Sequence, residues 1–86
     1  MNQEIIKNLN KFKERKTRVE QKGFLKIRFF IDELNYSIED DILELTDEDS
    51  EIYMKINTNQ IYKIDGENNK VSLYLDNDTM VELVNI

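Results

Sequence analysis

The sequence predicts a small α+β domain, mainly β, in which one N-terminal helix precedes an antiparallel sheet. Apolar residues recur at helical spacing over residues 3–22, and after Gly23 they alternate as strand residues do. No second stretch with the helical period follows. We therefore expect five or six short strands in a meander over 24–86, forming a strongly curved sheet or a small barrel. With 86 residues, the chain is expected to be a single domain, 1–86.

The predicted helix over 3–22 has one apolar stripe. Ile5, Leu9, Phe12 and Val19 share a face at helical spacing. Gly23 follows, and glycine commonly ends a helix in a left-handed conformation. These features predict that Gly23 marks the boundary between helix and sheet.

Three segments alternate as strands do. "FLKIRFFI" (24–31), "DILELT" (41–46) and "EIYMKIN" (51–57) each place apolar side chains at every second position. Leu43 and Leu45 are the expected inward residues of the middle segment.

The last third predicts two hairpins. A two-residue turn at 68–69 sets Ile64 opposite Leu73, and a three-residue loop at 77–79 sets Leu73 opposite Leu83. Both turns place Leu73 on the same buried face, and a one-residue slip in either would break that agreement.

One helix followed by short antiparallel strands resembles the layout of the Sm-like small barrel. The resemblance covers the order of elements over most of the chain and includes no diagnostic motif.

The composition predicts a protein that is not an enzyme. The chain has no cysteine and no histidine, so its serines have no imidazole to activate them. It has two glycines, too few for a phosphate-binding loop. The acidic run "DEDSE" lacks the glycine and glutamate positions of a calcium loop. We expect no cofactor and no metal site.

Charge divides unevenly along the chain, whose net charge is −6. Residues 1–28 have a net charge of +6 and residues 29–86 a net charge of −12. Such asymmetry indicates charged partners.

Negative charge is densest in "IEDDILELTDEDSE" (38–51), which has eight carboxylates in fourteen residues. Alternate strand residues point the same way about 6.6–6.8 Å apart, so two rows of carboxylates are expected, at 39/41 and at 47/49/51. Such rows could compete for a groove lined with Lys and Arg. The predicted partner-binding residues, in which Tyr36, Ile38 and Ile42 supply apolar contacts, are Tyr36, Ile38, Glu39, Asp40, Asp41, Ile42, Glu44, Asp47, Glu48, Asp49 and Glu51.

In its size, acidity and lack of catalytic residues the chain resembles the small phage-encoded inhibitors of bacterial defence, including anti-CRISPR proteins. That resemblance implies a non-catalytic, protein-binding inhibitor of a phage or mobile element. Its partner would be a basic, nucleic-acid-binding protein such as a CRISPR effector, whose groove the acidic surface would occupy as a nucleic-acid mimic.

Two alternatives stay open. A small-barrel nucleic-acid binder would use a basic stripe on the predicted helix, formed by Lys7, Lys11, Arg15, Arg18 and Lys22. A homo-oligomeric structural or assembly protein would instead place the basic helix of one copy against the acidic sheet of another.

The N-terminal residues show no apolar core of a signal peptide, and no stretch is apolar enough to span a membrane. We therefore expect a cytoplasmic protein, in a bacterium or an infected host cell, without a membrane partner.

Overall fold

An N-terminal helix and eight antiparallel strands in two sheets make up the fold, as seen in a computed structural model that describes residues 2–86. The elements are α1 (Asn2–Leu9), a 3-10 helix (Asn10–Phe12), β1 (Thr17–Lys22), β2 (Ile27–Ile31), β3 (Asn35–Glu39), β4 (Ile42–Thr46), β5 (Ile52–Asn57), a second 3-10 helix (Thr58–Gln60), β6 (Ile61–Gly66), β7 (Lys70–Leu75) and β8 (Thr79–Asn85). The predicted class, mainly β with one N-terminal helix, is confirmed. The strand count of five or six was too low.

The predicted helix over 3–22 is wrong beyond its first half. The helical segment ends at Phe12, and the next residues bond to the chain after β2: Glu14 N donates to Leu34 O at 2.7 Å and Leu34 N donates to Arg15 O at 3.1 Å. Glu14 takes a left-handed φ of 63°, which no helix continues through. From Thr17 the chain is the strand β1.

A five-stranded sheet has the order β2-β1-β8-β7-β6, and a three-stranded sheet has the order β3-β4-β5. β3–β4–β5 and β6–β7–β8 are meanders, as expected. β1 lies between β2 and β8, so the N-terminal strand pairs with the C-terminal one. Within residues 2–86 no strand of one sheet pairs with a strand of the other. The predicted small barrel is therefore wrong as a fold, because the two sheets do not close into a barrel.

Helix α1 packs beside β6, and it also reaches β3 of the other sheet. The Tyr36 hydroxyl of β3 donates to the side-chain oxygen of Asn10 and approaches the carbonyl oxygen of Ile6 at 3.5 Å. On the opposite side Phe29 of β2 stacks on Tyr53 of β5, with ring centroids 5.8 Å apart. Side chains thus join the two sheets where backbone pairing does not.

The core lies between the sheets and beneath the helical segment. The helical segment buries Ile5, Leu9 and Phe12 completely, and β4 buries Leu43 and Leu45 as predicted. The 15 buried apolar residues form a single cluster, so both sheets share one core.

The two predicted hairpins bury the face that the sequence indicated, but the loop of the second hairpin was predicted at the wrong residues. Ile64 pairs with Leu73 as expected. In the second hairpin Leu73 pairs with Val81, because the loop occupies 76–78 instead of 77–79. This two-residue change of register leaves Leu73 and Leu83 on the same face, because side chains alternate with a period of two.

Candidate functional site

The predicted acidic surface includes two residues that face the core. Tyr36 pairs with the buried Leu45, and Ile38 pairs with the buried Leu43. Both pack against the hydrophobic cluster, and burial raises the pKa of the Tyr36 phenol. Their predicted role as apolar contacts inside an acidic patch does not fit this placement, because directly paired strand residues point to the same face.

The first group of predicted carboxylates lies at the β3–β4 turn. Glu39 ends β3, and Asp40 and Asp41 form the turn with φ values of 51° and 63°. Aspartate tolerates this left-handed region better than most residues. The Asp41 carbonyl accepts hydrogen bonds from the backbone nitrogen (2.8 Å) and the hydroxyl (3.1 Å) of Thr58, so this turn is tied to the second 3-10 helix.

Ile42 and Glu44 project from the outer face of β4, because Leu43 and Leu45 point into the core. Glu44 does not present a free charge. Its carboxylate lies 3.6 Å from the amine of Lys55 and accepts a hydrogen bond from Ser37 at 3.5 Å.

The second group lies at the β4–β5 turn. Asp47 Oδ1 accepts hydrogen bonds from the backbone nitrogens of Asp49 and Glu51, each at 2.9 Å, and Asp47 Oδ2 accepts one from the Tyr53 hydroxyl at 3.2 Å. Asp47 therefore holds the turn together. Asp49 and Glu51 sit in the turn and not on a strand, so the predicted row of alternating carboxylates at 47/49/51 is wrong.

The two groups lie at opposite ends of the three-stranded sheet. Asp41 and Asp47 are separated by the five residues of β4, which at about 3.3 Å per residue places them roughly 20 Å apart. The carboxylates of 38–51 therefore lie in two separate groups, and Glu44, the one carboxylate of β4 between them, is paired with Lys55.

Two carboxylates that sequence reasoning missed join the second group. Asp32 and Glu33 follow β2, and the Glu33 carboxyl lies beside that of Glu48, near enough for the two to share a proton. Hydrogen bonding to a shared proton with Glu33, repulsion from Glu33, desolvation, and weaker repulsion from Asp47 and Asp32 together raise the pKa of the exposed Glu48 carboxyl. The only sequence signal for this contact was the acidic pair directly after the "FLKIRFFI" strand.

We call this cluster the acidic end; its members are Asp32, Glu33, Asp47, Glu48, Asp49 and Glu51. Among residues 2–86, no Lys or Arg nitrogen lies within 4.0 Å of any carboxylate in it. Ile52 and Tyr53 adjoin it and are 46% and 42% exposed. Negative charge beside partly exposed apolar surface is what a cationic protein surface can bind.

The predicted basic stripe is not formed, because its residues do not share a helix. Lys7 is in α1, Lys11 is in the first 3-10 helix and Arg15 is in the following loop. Arg18 and Lys22 lie on the face of β1 that points away from the core, 3.2 Å from Glu20 and 3.5 Å from Glu82 respectively.

That outward face of the five-stranded sheet carries a network of ion pairs. Glu20 also contacts Arg28 at 3.2 Å, and Glu82 also contacts Lys70 at 3.5 Å. Each carboxylate is thus shared between two cations, and Glu82 is only 7% exposed. The basic residues of this face are largely neutralised within the molecule.

The described residues do not assemble a metal cluster: within 2–86 there is no group of three or more Asp or Glu placed to hold an ion. Over the same residues, no helix has the length and apolarity needed to cross a membrane. One shallow surface depression, of about 370 Å³, is lined by Glu39, Asp40, Ile42, Glu44 and Lys55. It brings part of the predicted set together, with a lysine among the carboxylates.

Comparison of the chain with protein-family models, with curated proteins and with solved structures finds no match.

Proposed function

We propose that this chain is a non-catalytic binding protein whose acidic end docks on a basic surface of another protein. The observation that carries the proposal is that the acidic end brings six carboxylates together with no Lys or Arg nitrogen within 4.0 Å among residues 2–86. Glu33 and Glu48 come from different parts of the chain, and the Glu33 carboxyl raises the pKa of Glu48. Such crowding is unfavourable in the free protein and is relieved when a cationic surface approaches.

The placement of charged residues in the structure also supports this proposal. Four basic residues of the five-stranded sheet, Arg18, Lys22, Arg28 and Lys70, are paired with Glu20 or Glu82, whereas the acidic end has no such partner among residues 2–86. In this proposal Ile52 and Tyr53 take the role that the sequence had assigned to Tyr36, Ile38 and Ile42. They provide exposed apolar surface beside the carboxylates, and apolar burial adds affinity where charge mainly adds association rate.

The partner we propose is a protein that binds nucleic acid through a Lys- and Arg-lined groove, such as a CRISPR effector, and occupation of the groove would inhibit it. The proposal includes a cytoplasmic location, in a bacterium or an infected host cell, where such a partner is found. Association through opposite charges weakens as salt rises, since ions screen charges over about 8 Å at physiological ionic strength.

The test is capture from a nuclease-treated bacterial lysate on the immobilised chain, at low and high salt, with a matched pair of variants. The first variant removes three of the six charges of the acidic end without touching the turn-forming Asp47: Glu48→Gln, Asp49→Asn and Glu51→Gln. The control removes three charges at the β3–β4 turn: Glu39→Gln, Asp40→Asn and Asp41→Asn.

We expect the wild type and the control to retain nucleic-acid-binding proteins at low salt and to release them when duplex DNA is added. The variant with three substitutions at the acidic end should retain far less of these proteins. Equal capture by both variants, or capture that DNA does not displace, would remove the basis of the proposal. A gel shift with RNA and DNA addresses the alternative of direct nucleic-acid binding.

A further inference from the structure

Strand β2 has an unpaired edge. It is the outermost strand of the five-stranded sheet and pairs with β1 alone, so among residues 2–86 no strand covers its other side. Ile27 is 39% exposed and Phe30 is 52% exposed. An apolar edge strand with free backbone N–H and C=O groups is a template for pairing with another strand.

Charge changes sign along this strand. Lys26 directly precedes β2 and Arg28 lies within it, whereas Asp32 and Glu33 directly follow it. No acidic residue occurs over 21–31. Two such strands side by side in antiparallel order bring the basic start of one to the acidic end of the other.

We propose that two copies of this chain pair through β2, antiparallel, about a two-fold axis that passes between the two Phe29 residues. An axis perpendicular to the sheet keeps each face continuous, so residues opposite each other point to the same side. Lys26 then lies opposite Asp32 of the second copy, and Ile27 lies opposite its Ile31. Each of these pairs occurs twice, and the dimer has one continuous ten-stranded sheet.

The neighbouring registers that preserve the faces are worse. An axis at Arg28 would place two guanidinium groups opposite each other, and like charges in that position are destabilising. An axis at Phe30 would set Arg28 opposite Asp32, but it would also set Ile27 opposite Glu33 and Lys26 opposite the fully buried Leu34. The register centred on Phe29 also sets Arg28 opposite Phe30, where a cation can lie over an aromatic ring.

This arrangement gives a role to the exposed apolar tip of the hairpin between β1 and β2. At its tip Phe24 is 98% exposed and Leu25 is 56% exposed. Antiparallel pairing carries the tip past the end of the second copy's β2, next to its Asp32 and Glu33. The dimer covers apolar surface that the monomer leaves in water, and this inference does not depend on the proposed function.

The test exploits the symmetry of the charge pairs. In Lys26→Asp every Lys26–Asp32 contact becomes Asp–Asp, and in Asp32→Lys every contact becomes Lys–Lys. We expect each variant alone to have a dimer dissociation constant about tenfold or more above that of the wild type. An equimolar mixture of the two restores opposite charges at both contacts, and so it should dimerise again.

Sedimentation equilibrium measures the dissociation constant of the wild type, of each variant and of the equimolar mixture. Far-UV circular dichroism confirms that each variant is folded. Lys63→Asp is the matched control, because Lys63 lies on β6 at the other edge of the same sheet and should leave the dissociation constant unchanged. In the wild type, amide hydrogen exchange in β2 should slow as protein concentration rises. A wild type that stays monomeric up to about 1 mM, or a dimer that the mixture fails to restore, overturns the proposal.

Discussion

Replacing Gly23 with alanine should destabilise the fold, because neither its backbone conformation nor its surroundings admit a β-carbon. Gly23 has a φ of +126°, a value that residues with side chains rarely adopt. A β-carbon there would lie 2.5 Å from the carbonyl oxygen of Asp78 and 3.1 Å from the Cα of Thr79. Both are backbone atoms of the β7–β8 hairpin, so no side-chain rotation can relieve the contact.

The magnitude follows from two opposing terms. Backbone strain of this kind costs about 1–3 kcal/mol. Alanine also reduces the freedom of the unfolded chain, which offsets about 0.4–1 kcal/mol of that cost. The net loss of about 1–2 kcal/mol would lower the midpoint of thermal unfolding by roughly 5–15 °C in a domain of this size.

Gly66→Ala is the matched control. Its β-carbon would meet the side-chain oxygen of Asn8, at the free end of a side chain that can rotate away. Rotation gives up the 2.8 Å hydrogen bond from the Asn8 amide to the Glu4 carbonyl. The lost bond, worth about 0.5–1.5 kcal/mol at most at an exposed site, is partly offset by the unfolded-state term, so a change within about 1 kcal/mol is expected.

Urea unfolding monitored by far-UV circular dichroism gives both values, since the chain has no tryptophan to report by fluorescence. Equal losses in the two variants, or a larger loss for Gly66→Ala, would refute the steric argument at Gly23.

Three further predictions concern the core, the contact between the sheets and the acidic end. Phe12→Ala, at a fully buried position, should cost about 3–5 kcal/mol in urea unfolding, whereas Phe24→Ala, at a 98% exposed position, should change stability by less than about 0.5 kcal/mol. A double-mutant cycle on Phe29 and Tyr53 should yield a coupling energy of about 0.5–1.5 kcal/mol, and a value near zero would mean that their stacking does not join the sheets. In the folded protein the Glu48 pKa is raised above its ordinary value of 4.5. Protonated Glu48 therefore contributes fully to folding stability at pH values below 4.5, and this contribution is lost as pH rises through the folded-state pKa. Glu48→Gln should therefore raise the midpoint of thermal unfolding at pH 7, and this advantage should disappear in scans below about pH 4.

Sequence patterns identified the strands that have one clearly apolar face. β4 alternates strictly, and its Leu43 and Leu45 are buried as predicted. β1 was missed because Val19 is the only apolar residue in "TRVEQK". Val19 also lies at helical spacing from Phe12, so the local pattern favoured a helix. Pairing with β2 on one side and β8 on the other decides the conformation, and no local pattern includes that information.

The candidate site was predictable only in part, for the same reason. Crowded carboxylates between residues 38 and 51 indicated a charged surface, but β4 separates them into two groups. The contact between Glu33 and Glu48 depends on how the end of β2 packs beside the β4–β5 turn. Those residues are far apart in sequence, and local pattern reasoning does not relate them.

The two proposals use neighbouring charges yet can be separated by experiment. Pairing through β2 involves Asp32, the member of the acidic end that directly follows β2, whereas Glu48, Asp49 and Glu51 lie at the turn of the other sheet. Neutralising the turn should abolish partner capture and leave the dimer intact. Changing Lys26 should weaken the dimer and leave partner capture intact, because Lys26 lies at the opposite end of β2 from the acidic end of its own chain. If instead one set of substitutions abolished both, partner binding would require the dimer, and the acidic ends of two copies would have to be considered as one surface.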